Sequence, residues 1–389
     1  MRNTPHQIVV AGAGYAGMMA ATCLARRTRR YRSHITLINP SPRFVERLRL
    51  HQIAAGQQLP VHPIPDILTG SGVQFLNDRI TAIDPHRRAV EVAGSWLPYD
   101  TLVYAIGSLT TTRVVPGVAQ HAYTLNGIEA ATSFAARLDG ARSVAVCGGG
   151  LTGVEAATEV AESHPHLDVT LISETPPGSM MGPKARRHLY DGFARLGVTV
   201  VSGSLVTKVR PDGVDLSNGS SVAADVVLWT SGVEVPPLAS DAGIATDRHG
   251  RILTDASLRS VSHPDVFAIG DAAAVCQAWG TIHGTCQSGI PTGAFAAQEI
   301  ARQLAGRTPK PFRFGYIHQP VSIGRRDAVI QFTNADDTPR RWYLKGRPAI
   351  FYKQLVSSSP IYTFRLAKHV KVSNRVLSSS GGKRSRPER

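Results

Sequence analysis

The chain has 389 residues, a formal charge of +15, 42% hydrophobic and 18% charged residues. That composition excludes a disordered polyelectrolyte and a disulfide miniprotein, and leaves room for two to three domains with sizeable cores. No run of about 18 or more apolar residues occurs, so no membrane-spanning helix is expected.

Met1–Gln7 leads into a strand without an apolar export region, so a cytoplasmic protein is expected. Val9-Val10-Ala11 predicts a buried strand, followed by Gly12-Ala13-Gly14-Tyr15-Ala16-Gly17 and an Ala-rich helix over Met18–Arg27. Strand, glycine loop and helix in that order make a phosphate cradle. The first Gly permits the sharp turn, the second lets backbone approach a pyrophosphate, and the third lets the helix pack on the strand. Free N–H groups and the partial positive charge of the helix start then hold the anion. Arg26, Arg27, Arg29, Arg30 and Arg32 close this helix and read as a solvated face. Asn39 ends the next strand, where a ribose-binding carboxylate is usual; an amide there still hydrogen-bonds a sugar hydroxyl. Ile80–Val92 reads as strands leading to Tyr99-Asp100 and Ile106-Gly107.

The same arrangement then recurs, which chance rarely produces. Ala145-Val146-Cys147 precedes Gly148-Gly149-Gly150-Leu151-Thr152-Gly153 and a helix over Val154–Ala161. Val206–Leu216 reads as strands leading to Asp225 and Ser231-Gly232. Two dinucleotide sites in one chain suit electron transfer. The second strand of this unit ends Ser173-Glu174. Glu174 on the 2′-hydroxyl would select NADH; Ser173 there, with Arg186 or Arg187 on a 2′-phosphate, would select NADPH.

Val266-Phe267-Ala268-Ile269 leads to Gly270-Asp271, and from Ala272 to Gln298 there is no Asp, Glu, Lys or Arg. This stretch reads as backbone folded over something buried, with a helix beginning at Pro291-Thr292-Gly293-Ala294. The four cysteines form no Cys-x-x-Cys or Cys-x-x-x-x-Cys pair, so neither a redox dithiol, a disulfide framework nor a metal site is expected. Cys23 and Cys147 read as small core residues, and Cys276 and Cys286 as a pair that spacing would allow. Ile350–Val356 and Pro360–Leu366 interleave aromatic, aliphatic and basic residues. They suit a membrane interface, a lid on the first dinucleotide unit or a homodimer contact. The basic tail beyond Arg365 carries Lys368, Lys371, Arg375, Lys383, Arg384, Arg386 and Arg389. It has no nucleic-acid-binding module, and its last residues, after the Ser378–Gly382 linker, are expected to be disordered.

Gly12–Gly17, Asp100 to Gly107, Gly148–Gly153, Asp225 to Gly232 and Gly270-Asp271 together resemble the flavoprotein reductases with two dinucleotide folds, FAD in the first and NAD(P)H in the second. Trp229–Val233, Pro236-Pro237-Leu238 and Ser322–Arg325 look most like the type II NADH dehydrogenase branch, with apoptosis-inducing-factor-like proteins nearby. The resemblance implies an α/β fold of two Rossmann-like domains: FAD-binding over 1–115 and 245–312, NAD(P)H-binding over 116–244, and a C-terminal region over 313–389. It implies that Gly12, Gly14, Ala16, Gly17, Asn39, Arg43, Ile106, Gly107, Gly270 and Asp271 surround FAD. Gly148, Gly150, Gly153, Ser173, Glu174 and Gly232 would surround NADH or NADPH. Glu155 falls where such proteins keep a Glu beside nicotinamide and flavin. The branch usually shows Ala-Gln-x-Ala-x-Gln near the flavin, its first Gln touching a quinone. Aligned here on Gly293–Gln298, the motif keeps Gln298 and replaces the first Gln by Ala294, so Pro291, Ala294 and Gln298 are the expected acceptor residues. The implied reaction passes hydride from NAD(P)H to flavin and two electrons to a quinone or another small organic acceptor. A peripheral position on the inner face of the cell membrane goes with the quinone reading. A soluble metabolite oxidoreductase and an NADH-responsive sensor are the alternatives.

Overall fold

The computed structural model describes residues 4–372. The apolar run after residue 5 forms strand β1 (His6–Ala11), whose last four residues are buried, and the glycine loop then feeds helix α1 (Tyr15–Arg27). Strands β2 (Ser33–Ile38), β3 (Gln74–Leu76) and β4 (Thr101–Tyr104) join β1 in a parallel sheet. β5 (Ala122–Tyr123), β6 (Ser143–Cys147), β7 (Asp168–Ser173), β8 (Thr199–Ser202) and β9 (Val226–Trp229) build a second parallel sheet in the order β5-β9-β6-β7-β8. The chain then returns: β10 (Val266–Ala268) adds to the outer side of β4, giving the first sheet the order β10-β4-β1-β2-β3. In both sheets the strand before the glycine loop is central and the order reverses beside it, the crevice where such sheets bind ligands.

Each parallel unit also carries a small antiparallel sheet between its outer strands, over 80–98 and over 206–223. A third region follows, an antiparallel sheet of β11 (His318–Ser322), β12 (Ala328–Thr333) and β13 (Pro339–Lys345).

Helix α2 (Leu50–Ala54) packs against α3 (Ile128–Leu138) and α4 (Leu151–Ser163), joining the two units. Helix α5 (Pro183–Leu196) lies against the third sheet. The long helix α6 (Cys286–Leu304) crosses α1 at very close range: a Cβ on Gly293 would overlap the carbonyl oxygen of Ala16. Only a run of small residues allows backbones to approach so far. The last helix, α7 (Gly346–Ala367), buries Ala349, Lys353, Ser357, Pro360, Ile361, Phe364 and Ala367, a helical period of apolar and small residues interrupted by one lysine.

Three expectations change. α6 begins at Cys286 rather than Pro291, capped by Thr285, whose hydroxyl accepts from Ser288 N while Thr285 N donates to Ser288 Oγ. Arg26 and Arg27 are not merely a solvated face: Arg26 Nε donates to His369 O at 2.9 Å and Arg27 Nη2 to Val372 O at 2.7 Å. Cys276 and Cys286 are free thiols. The tail readings beyond Val372 lie outside the described residues.

Candidate functional site

The two glycine loops have the same construction. A Cβ on Gly17 would overlap the carbonyl oxygen of Gly12, and one on Gly153 that of Gly148, so each third glycine brings its helix onto its own turn. Gly12 (φ +101°) and Gly148 (φ +127°) lie where L side chains are strained. Their partners close the crevice: a Cβ on Gly12 would reach 2.5 Å from Ala105 O, and one on Gly148 2.5 Å from Thr230 Oγ1. Gly14 and Gly150 are different. Each is the N-cap of its helix with no side-chain cap, and the space before its α-carbon is open. That pairing of tight turn, open face and uncapped helix start fits a pyrophosphate at each loop.

Around the first loop, Asn39 Oδ1 accepts from Ala13 N at 2.9 Å and its amide donates to Ser41 O, so Asn39 props the loop. Ile106 and Gly107 follow β4, with Gly107 at φ +73°. Ala16 lies under Gly270, and Asp271 Oδ2 accepts from Ser108 Oγ at 2.8 Å. The structure thus gathers Gly12, Gly14, Ala16, Gly17, Ile106, Gly107, Gly270 and Asp271 along one crevice. Arg43 points elsewhere, toward Glu129 on α3 at 3.8 Å.

At the second loop Ser173 is turned inward. Its Oγ donates to Thr175 O at 2.6 Å and abuts Gly149, while Glu174 is exposed. Gly232 (φ +75°) packs on Thr111.

Between the loops lies a buried polar cluster. Glu155, on the second turn of α4, accepts from Ser322 N at 3.0 Å and pairs with Lys353 Nζ at 2.5 Å. Burial would raise its carboxyl, but Lys353 and His51 outweigh burial and hold it below the ordinary value. The α6 N-terminus faces the same space. Burial pushes the Cys286 thiol up to about 12, with Lys353, Asp271 and Glu155 close enough to act on it. Gln287 Oε1 accepts from Ile317 N at 2.7 Å and its amide donates to His318 O at 3.0 Å.

The predicted acceptor residues do not gather here. Pro291 and Ala294 are buried between helices, and Gln298 lies twelve residues along α6 from Cys286. With the helix starting at Cys286, the residue after it, Gln287, is the glutamine at the site. Sequence reasoning missed Gln287, His51 and the inward turn of Lys353, and singled out Ser322 only as part of a branch signature, without its contact to Glu155. A signal for the lysine existed: Lys353 shares its helical face with Ala349, Pro360 and Phe364.

Residues 6–299 match the model of a family described as pyridine nucleotide-disulphide oxidoreductase. A NADH dehydrogenase-like protein of Mycobacterium tuberculosis is 30% identical over 380 residues, covering 92% of this chain and 94% of that one. A type II NADH:quinone oxidoreductase of Staphylococcus haemolyticus is 25% identical over 390 residues, covering 92% and 95%. Two solved structures share the fold. The sulfide:quinone oxidoreductase of Aquifex aeolicus has a TM-score of 0.79 at 19% identity, covering 94% of this chain and 96% of that one. The NDH2 of Plasmodium falciparum with NADH has a TM-score of 0.76 at 15% identity, covering 95% and 99%. The chain belongs to the pyridine nucleotide-disulphide oxidoreductase family and is an FAD-dependent NAD(P)H oxidoreductase.

Proposed function

We propose that the chain oxidises NADH and delivers the electrons to a quinone-like acceptor beside Glu155, Lys353 and Gln287. Residues 1–115 and 245–312 act as the FAD-binding unit, and 116–244 as the NADH-binding unit. The single observation carrying this reading is the buried Glu155–Lys353 pair at the N-terminus of α6. A carboxylate and an ammonium at one pocket can deliver and balance the protons that a quinone takes up.

Bound FAD supplies the redox chemistry, accepting hydride and passing two electrons on. The chain orients and stabilises. Gly14 and Gly150 leave room for the two pyrophosphates, Asp271 takes ribityl hydroxyls, and the α6 helix start favours negative charge by roughly 0.3–1 kcal/mol. Gln287 takes the acceptor role that the sequence assigned to Ala294 and Gln298. The inward Ser173 leaves Glu174 to read the ribose, which favours NADH over NADPH.

Among the described residues no helix is long and apolar enough to cross a membrane. The surface of α7 instead exposes Phe351, Leu355, Tyr362 and Leu366 in helical register, 53–71% accessible. Together with the net charge this favours docking on the anionic inner face of the cell membrane. The test is anaerobic: NADH should bleach the flavin faster than NADPH, and menadione or a ubiquinone analogue should restore it. Bleaching that no quinone reverses would leave a sensor; no bleaching by either nucleotide would end the reading.

A further inference from the structure

The edge strand of the third sheet carries a bulge that neither dinucleotide needs. From Gln331 to Thr333, two steps along β12, the partner on β13 moves four, from Tyr343 to Pro339, so β13 holds two extra residues there. A bulge lifts its strand off the ladder and re-aims the side chains. Here a side-chain amide meets the displaced carbonyls: Gln331 Nε2 donates to Arg340 O at 2.7 Å and to Trp342 O at 3.2 Å. Beside the lifted segment lies a cavity of about 330 Å³, walled by Tyr316, Ile317, Phe332, Thr333, Arg340 and Trp342. None of Glu155, Lys353 or Gln287 lines it. Ile317 stands between the two places, since its N–H donates to Gln287 Oε1 at 2.7 Å. The cavity therefore adjoins the acceptor pocket without sharing its polar groups.

Its walls specify what fits. Two rings are already fixed: Tyr316 stacks on His283 at 4.3 Å and donates its hydroxyl proton to His283 O at 2.7 Å, while Phe332 sits edge-on to Tyr352 at 5.8 Å. A slot held in place before binding loses little entropy when it is filled. Trp342 is 79% exposed, an indole left in water beside that slot. Arg340 Nε donates to Asn334 Oδ1 at 3.2 Å, which steadies the guanidinium, yet among the described residues no carboxylate pairs with it. A guanidinium fork without a carboxylate matches a planar anion, which it can hold by two parallel hydrogen bonds. In the same walls Thr333 Oγ1 is buried and has no hydrogen-bond partner, an unmet polar atom that packing alone does not explain.

We infer that this cavity is a second binding site, for a small aromatic carboxylate whose ring lies against Trp342 and whose carboxylate pairs with Arg340. The volume is at the small end for ligand cavities, enough for one or two fused rings and too little for a dinucleotide. A neutral quinone would leave Arg340 unpaired, so the site is not a second seat for the acceptor. The inference goes beyond the proposed function and holds whichever acceptor takes the electrons.

Oxidised holoenzyme is titrated calorimetrically with 2-naphthoate and with its neutral counterpart 2-naphthamide. 2-Naphthoate should bind with a Kd below about 1 mM, and 2-naphthamide at least tenfold more weakly. Trp342→Ala and Arg340→Gln should each weaken 2-naphthoate at least tenfold, and Arg340→Gln should also remove the preference for the anion. Both side chains are exposed, so the variants should keep the parent's flavin content and melting temperature. Gln287→Ala, altered at the acceptor pocket, should bind 2-naphthoate within twofold of the parent. No saturable binding of 2-naphthoate, equal affinity for the two probes, or unchanged affinity in either cavity variant overturns the site. So does loss of binding in Gln287→Ala, which would put the probe in the acceptor pocket instead.

Discussion

Gly14 and Gly17 stand three residues apart and answer to different constraints. Gly17 is held by the fold, because any Cβ there overlaps Gly12's carbonyl oxygen. Gly17→Ala should cost about 1–3 kcal/mol in a melt of the apoprotein and also lose flavin. Gly14 has open space and φ −72°, which alanine adopts freely. Gly14→Ala should leave the apoprotein melt unchanged within about 0.5 kcal/mol yet weaken FAD in a fluorescence titration. The buried cluster gives two more expectations. Glu155→Gln leaves Lys353 unpaired inside the protein, a loss of about 3–5 kcal/mol in denaturant. The double variant with Lys353→Met should recover much of it. Glu159 has its carboxyl raised in the fold, so its contribution is complete below the unfolded value and is lost as pH rises through about 7. Relative to the parent, Glu159→Gln should therefore gain about 2 kcal/mol between pH 5 and 8 in paired thermal melts.

Among the elements, α7 shows what a single sequence can and cannot convey. Its alternation of aromatic and basic residues marks an amphipathic surface, and Phe351, Leu355, Tyr362 and Leu366 are indeed exposed. Lys353 belongs to that run by composition and leaves it by angle, turning inward to Glu155 and donating to Pro320 O at 3.0 Å. The start of α6 was hidden for a related reason. Proline favours a first helical turn, which pointed to Pro291, while the cap that starts the helix is the reciprocal Thr285–Ser288 pair. Pro291 then sits within the helix, where it cannot donate to Gln287's carbonyl. Phe351→Asp with Tyr362→Asp should lower partition onto anionic vesicles at least tenfold in flotation. The melting temperature should hardly move, because both rings are about 70% accessible.

For the whole molecule, the repeated strand–glycine loop–helix was enough to read two parallel sheets, since glycines at fixed offsets are a local requirement of the turn. The His51–Glu155 contact spans 104 positions and depends on α2 packing against α4. No local pattern carries that. The net charge of +15 acts at this scale too. Vesicle binding should weaken as salt rises from about 0.05 to 0.5 M, where screening shortens from over 10 Å to a few ångströms. Binding that ignores salt would assign the docking to the α7 rings alone.

The backbone-to-backbone seat of α6 on α1 couples cofactor retention to the melting of the entire first lobe. With Gly293 against Ala16's carbonyl, neither rod can tilt without breaking the crevice that both line. Dye-free heating should release yellow fluorescence and abolish helical dichroism at one temperature, so that the bound pigment reports its own protein's collapse.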